Sequence, residues 1–77
     1  QLPSDDAEYI GADAAIEIAS AHSGITQSDM LKKEAKLKII KGAYVYEVEF
    51  ETPEYEFEYL IDAKTGKILS AEKELND

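Results

Sequence analysis

The sequence predicts an α+β fold: one main N-terminal α-helix packed on a four-stranded antiparallel β-meander. Two observations carry this. Apolar residues recur at helical spacing once, over residues 12–23, after which the period drops to two and stays there. Turn signals at Lys41-Gly42, Thr52-Pro53 and residues 62–66 then cut the alternating stretch into four pieces.

In the helix, Ala12, Ala15, Ile16, Ala19 and His22 or Ser23 fall on one side, with Glu17 and Ser20 on the other. Gly11 stands at the N-cap position, and Asp13 in the first turn complements the helix dipole. Gly24 is placed to be the left-handed residue that ends the helix. The alanines keep the helix thin, so it can lie close on a sheet. Thr26 and Asp29 have the spacing of a capping pair and predict a short helical turn ending near Leu31. Strands are expected over 34–41, 43–51, 55–62 and 67–73. Glycine supplies positive φ in the turns, proline pre-sets φ, and Asp62 is suited to accept amide hydrogens in an Asx-turn. Residues 1–9 read as a leader or linker, 10–74 as a single domain and 75–77 as a tail. The chain opens at Gln1 without a signal-peptide pattern, as expected of a mature product or a segment of a longer protein.

Composition removes several functions. A chain of 77 residues forms one small domain, which buries only about 60% of its unfolded surface and leaves no room for a deep active site. Without cysteine there is neither a disulfide framework nor a thiolate metal site. No apolar run is long enough for a membrane span, so membrane insertion by this segment is not expected. Eight lysines against seventeen acids give a formal charge of −9, which repels nucleic acid and anionic lipid surfaces alike.

Pairing the strands through the shortest loops sets Leu37 against Tyr46 and Ile39 against Tyr44. It also sets Phe50 against Tyr55, Val48 against Phe57, Tyr46 against Tyr59, Ile61 against Ile68 and Tyr59 against Ser70. All of these share one apolar face, which the helix must cover. The opposite face divides. One half carries Glu47, Glu49, Glu51, Glu56 and Glu58, with Glu49 opposite Glu56, Glu47 opposite Glu58, and Lys36 and Lys73 as partial offsets. The other half carries Ile40, Val45, Leu60 and Leu69.

The helix Ala-Asp-Ala-Ala-Ile-Glu-Ile-Ala with Gly24 after it is similar to the opening of PepSY domains, a family of peptidase propeptides and bacterial exported regulatory domains. The strands at 44–50 and 55–59 and the turn Ile61-Asp-Ala-Lys-Thr-Gly-Lys-Ile68 strengthen the resemblance, which covers residues 10–72. One departure is Gly11, where the family often has serine or threonine. The resemblance implies a non-catalytic, extracytoplasmic binding module, secreted or anchored at the cell surface by a segment outside this sequence. It implies regulation or inhibition of a protease, with a secreted metalloprotease or neighbouring domains as protein partner. The alternative is an architectural domain in a multi-domain or tandem surface protein.

No residue pattern points to catalysis or to a cofactor. His22 is the only histidine and meets neither a metal-ligand count nor a nucleophile constellation, so it reads as a residue at the helix–sheet seam. Glu47, Glu49, Glu56 and Glu58 offer calcium-type oxygens, but strand-mounted glutamates are expected to diverge along a twisted sheet and no calcium loop is present. Paired acids also suggest glycosidase chemistry, for which neither a cleft nor an apolar pocket to raise one pKa is expected. Tyr44, Tyr46, Tyr55 and Tyr59 read as core under the helix, since no basic residues interleave with them. The expected partner-binding residues are therefore Ile40, Val45, Leu60 and Leu69, with Glu47, Glu49, Glu56 and Glu58 as an acidic steering surface. Lysines on the outer strands read as edge protection or as contacts for an acidic partner.

Overall fold

The computed structural model describes residues 9–76; the expectations for residues 1–8 and for Asp77 lie outside it. Helix α1 spans Ala12–Ser23 and is followed by a single 3-10 turn, Gln27–Asp29. Strands β1 (Leu31–Ile40), β2 (Ala43–Glu51), β3 (Tyr55–Asp62) and β4 (Ile68–Leu75) form one antiparallel sheet in the order β1-β2-β3-β4. The expected fold class is the observed one.

Gly11 precedes α1 without any side-chain cap, and Gly24 ends it at φ 79° with its N–H on the Ser20 carbonyl at 2.9 Å. Thr26 does not cap a backbone amide. Its hydroxyl instead donates to the Asp29 carboxylate at 3.0 Å, bracing the 3-10 turn by a side-chain pair. The chain enters beside the sheet: Ile10 N–H donates to Ala63 O at 2.8 Å, and Ala63 N–H to Tyr44 O at 3.0 Å. Tyr9, expected in the leader, packs its ring 5.2 Å from that of Tyr44. At the other end, Leu75 belongs to β4, and Asn76 donates its backbone N–H to Glu54 O at 2.9 Å. The tail is thus tied to the β2–β3 turn.

The core lies between α1 and the inner sheet face. Ala15, Ile16 and Ala19 meet Tyr46, Val48, Phe50, Phe57, Tyr59 and Ile61, with Met30 and Ala63 closing the ends. Val48, Phe50 and Ile61 are the largest fully buried side chains. Each stabilises the fold by about 1.5–3 kcal/mol through burial alone. The Phe50 ring stacks on Phe57 at 4.7 Å and on Tyr59 at 6.3 Å. Among the described residues no buried side-chain polar atom lacks a partner.

Register follows turn chemistry. The β1–β2 pairs are those expected, with Leu37 against Tyr46 and Ile39 against Tyr44. Lys41 at φ 53° and Gly42 at φ 83° form the two-residue connection whose twist suits a hairpin. The β2–β3 pairing is shifted by two residues from the expectation. Phe50 faces Phe57, Val48 faces Tyr59, Tyr46 faces Ile61 and Glu49 faces Glu58. The turn centres on Pro53-Glu54: Thr52 N–H donates to Tyr55 O at 2.8 Å, and Tyr55 N–H returns to Thr52 Oγ1 at 3.1 Å. A two-residue slip preserves side-chain facing, so the same residues stay inside.

The β3–β4 ladder contains a bulge. Ile61 pairs with Ile68 as expected, but Leu60 pairs with Ser70 and Tyr59 with Ala71, leaving Leu69 as the extra residue. Beyond the bulge the parity of β4 is reversed relative to the expectation. Lys73 therefore stands opposite Phe57 on the inner face, with its ammonium 4.4 Å from the Tyr55 ring centre, not opposite Glu56 on the outer face. A second register shift, between Leu31 and Glu34, accompanies Lys32 at φ 53°.

Candidate partner-binding surface

The outer sheet face is the side away from α1. The pairings set Glu34, Glu49, Glu58 and Glu72 in one row that crosses all four strands. Beside it run Glu51, Glu56 and Glu74, and on the other side Lys36, Glu47, Leu60 and Ser70. Glu47, Glu49, Glu56 and Glu58 thus share one surface, though in pairs different from those the shortest loops give. Glu72 and Glu74 join them, two acids the sequence reading missed because the bulge at Leu69 switches their face. The only signal for that switch is the weak alternation of Ile68-Leu69-Ser70-Ala71. A groove of ≈ 350 Å³ on this side is lined by seven glutamates together with Lys32, Phe50 and Phe57.

Three of the four glutamates expected to diverge along the twisted sheet converge instead; Glu56 is not among them. Glu47, Glu49 and Glu58 each bring one carboxylate oxygen to within 4.8 Å of the others, forming an exposed or half-buried acidic cluster. Lys38 answers part of this charge, its ammonium lying 2.6 Å from Glu47 Oε1. The hydrogen bond from Lys38 holds the Glu47 carboxyl below its ordinary value, with a further contribution from Glu58. Glu58 moves the other way. Its hydrogen bond with Glu47, then partial desolvation, then the charges of Glu47, Glu49 and Glu72 push it up to about 7. One carboxyl is thus raised without an apolar pocket, by a neighbouring acid.

The apolar half of the outer face is less uniform. Leu69 is 49% exposed and Ile40 36%, and Leu60 is half-buried. Val45 is only 2% exposed, yet lies outside the core cluster under α1. Val45 pairs with Lys38 on one side and Asp62 on the other. As folded, Val45 presents no surface, and a partner would meet Ile40, Leu60 and Leu69.

The inner face holds exposed apolar residues that were expected beneath the helix. Leu37 is 44% exposed, Ile39 62% and Tyr44 40%. A helix of 12 residues is about 18 Å long, whereas a strand of 10 residues is about 33 Å. α1 cannot reach the tip of the β1–β2 hairpin, and that arithmetic was available from the sequence. Ala35 packs against the core, and the strand beyond it projects uncovered.

His22 occupies the expected seam. Its Nδ1 is 2.8 Å from the Tyr59 hydroxyl, and the two rings meet edge to face at 5.5 Å. Burial pushes the Tyr59 phenol up, with Ser23 working against it through a side-chain hydrogen bond.

The family model described as "Peptidase propeptide and YPEB domain", PepSY, matches residues 9–72. The matched span runs from the chain entry at Tyr9 to Glu72 in β4 and includes α1 and the three strands β1, β2 and β3. No curated protein and no solved structure matches the chain. Among the described residues, no helix is long and apolar enough to cross a membrane.

Proposed function

Because the chain belongs to the PepSY family, we propose that it is a non-catalytic extracytoplasmic binding module that regulates or inhibits a protease at the cell surface. The observation that carries this is the match over residues 9–72, which embraces the whole core of the fold. The family is linked to peptidase propeptides and YpeB-like regulators. The sheet adds physical support. α1 lies on one face only, while the other presents a divided surface with an acidic half beside Ile40, Leu60 and Leu69. Acidic rows steer a basic partner into place, and exposed aliphatics beside them supply contact area.

The test is a stoichiometric titration of this domain against secreted bacterial metalloproteases, thermolysin-type included. Residual activity is followed, and mass spectrometry checks that the domain remains uncut. Saturable inhibition by intact domain is the expected result. Simple digestion, or activity unchanged at a large excess of domain, counts against the inhibitory reading.

A further inference from the structure

The strand β1 is chemically unlike the rest of the chain. Residues 31–42 hold five of the eight lysines against a single acid, Glu34, in a protein whose formal charge is −9. β1 is also an edge strand, paired with β2 on one side only. Past the register shift at Lys32, residues 34–40 pair with β2 residue by residue, so the free side is a regular run of backbone donors and acceptors.

Edges are protected by charged side chains, bulges or a covering element. Here the protection is one-sided. Lys36 and Lys38 flank the edge on the outer face, while on the inner face the flanking residues are Leu37 and Ile39, with Tyr44 beside them, all uncovered by α1. From these placements we propose that β1 captures an extended protein segment in which acidic and apolar residues alternate. The segment adds as a fifth strand along residues 34–40. Its apolar side chains extend the Leu37–Ile39 surface, and its acidic ones lie against Lys36 and Lys38.

Charge selects this occupant and fixes its register. Both lysines already meet acids of their own sheet: Lys38 bonds Glu47 on β2 at 2.6 Å, and Lys36 lies 3.7 Å from Glu34 on its own strand. On the open side no described strand follows β1, so further acids there would come from the added segment. Glu34 sits at the end of the acidic row, so an acid placed against it meets like charge, whereas two residues further on it meets lysine. A basic strand finds the reverse: repulsion at Lys36 and Lys38. Main-chain hydrogen bonds give affinity in this mode of binding, and the alternating side chains give selectivity. Strand capture at this edge stands whether or not the chain regulates a protease.

The experiment is an NMR titration of the isotope-labelled protein with two capped synthetic heptapeptides, one alternating glutamate and valine and the other lysine and valine. The glutamate peptide is expected to give saturable amide shifts confined to residues 34–40 and their β2 partners, with slowed amide exchange along β1. Ile39→Glu should abolish the shifts, and Lys36→Glu should weaken binding at least tenfold. Both positions are exposed, and an unchanged thermal melt confirms that each variant is folded. Raising salt from 50 to 300 mM should weaken binding of the glutamate peptide. Equal binding of the lysine peptide, shifts centred on the glutamate row, or no saturable shift at millimolar peptide would overturn the proposal. So would concentration-dependent shifts of β1 and β4 together in the protein alone, which assign the edge to a second copy.

Discussion

Glu49 and Glu58 stand directly opposite each other on β2 and β3, with a Glu47 oxygen close enough that the three carboxylates lie within 4.8 Å of one another. Like charges across a ladder destabilise it. The strain is partly relieved by Lys38 on Glu47 and partly by a proton retained on Glu58, whose carboxyl is raised to about 7. A carboxyl with a raised folded-state pKa binds its proton more tightly when folded. Its contribution to stability is full below its ordinary value of 4.5 and is lost as pH rises through about 7. Glu47, lowered, contributes above its ordinary value and loses that contribution in acid. Melting temperature should therefore rise as pH falls from 8 towards 5. Glu58→Gln should flatten that rise and stabilise the protein at pH 8 by about 0.5–1 kcal/mol, a figure already reduced for solvent screening. Thermal melts of both proteins from pH 4 to 8 check it. A wild-type melting temperature that falls between pH 8 and 5 would contradict the assignment.

The β3–β4 turn is held by Asp62, whose carboxylate accepts from Lys64 N–H at 2.8 Å and Thr65 N–H at 2.9 Å. Those amides hold its carboxyl below the ordinary range. The sign is opposite to that of Glu58: the contribution is present above the ordinary pKa and is lost as pH falls through the lowered one. Asp62→Ala should lower the melting temperature at pH 7 and make little difference at pH 2. Gly66 in the same turn has φ 81°, and a Cβ there would stand 3.1 Å from the Ile18 side chain. Gly66→Ala should cost about 1 kcal/mol or more, since the strained backbone adds to the contact with α1. Urea unfolding at pH 7 and pH 2 measures both variants.

The residues that made the fold legible are the ones that repeat. The helical spacing of Ala12, Ala15, Ile16 and Ala19 and the alternation from Ala43 to Glu51 and Tyr55 to Asp62 fix elements and faces, because a period of two or 3.6 is a property of the chain itself. Register was legible where the turn was unambiguous, at Lys41-Gly42, and at the first pair beyond the turn at residues 62–66, Ile61 with Ile68. At Thr52-Pro53 the centre lies one residue later, since proline takes the first central position and leaves Thr52 to accept from Tyr55. The bulge at Leu69 was illegible for a different reason. One unpaired residue leaves no more than a weakened alternation in a strand whose side chains are Ser70, Ala71 and Glu72, yet it moves Lys73 to the inner face and Glu72 and Glu74 to the outer. The acidic surface was thus foreseen in kind and underestimated in extent.

His22 and Tyr59 join the last turn of α1 to the middle of β3 across 37 residues of sequence. The Tyr59 side chain is nearly wholly buried, so its hydroxyl depends on that partner and on Ser23. Tyr59→Phe and His22→Ala should each destabilise the domain by about 0.5–1.5 kcal/mol. The double variant should cost less than the sum of the two, because either change alone removes the same bond. A double-mutant cycle by urea denaturation gives the coupling, and strict additivity would show that the 2.8 Å contact contributes nothing to stability.

Val45 and Leu69 separate folding from binding on the outer face. Both are aliphatic and both stand in its apolar half, but Val45 is 2% exposed and Leu69 49%. Val45→Asp places a carboxylate where water does not reach, beside Asp62 on the paired strand. It should destabilise by about 3 kcal/mol or more, enough to populate unfolded chains in a domain of this size. Leu69→Asp sits on the unpaired residue of the bulge and should change stability by no more than about 0.5 kcal/mol. Loss of protease inhibition in Val45→Asp therefore reports loss of fold, whereas the same loss in Leu69→Asp reports the surface. Circular dichroism melts run beside the inhibition titration distinguish them. A folded, non-inhibiting Leu69→Asp would place Leu69 in the contact. A folded and fully inhibiting one would move the contact away from the bulge, leaving Ile40 and Leu60 as the next residues to substitute.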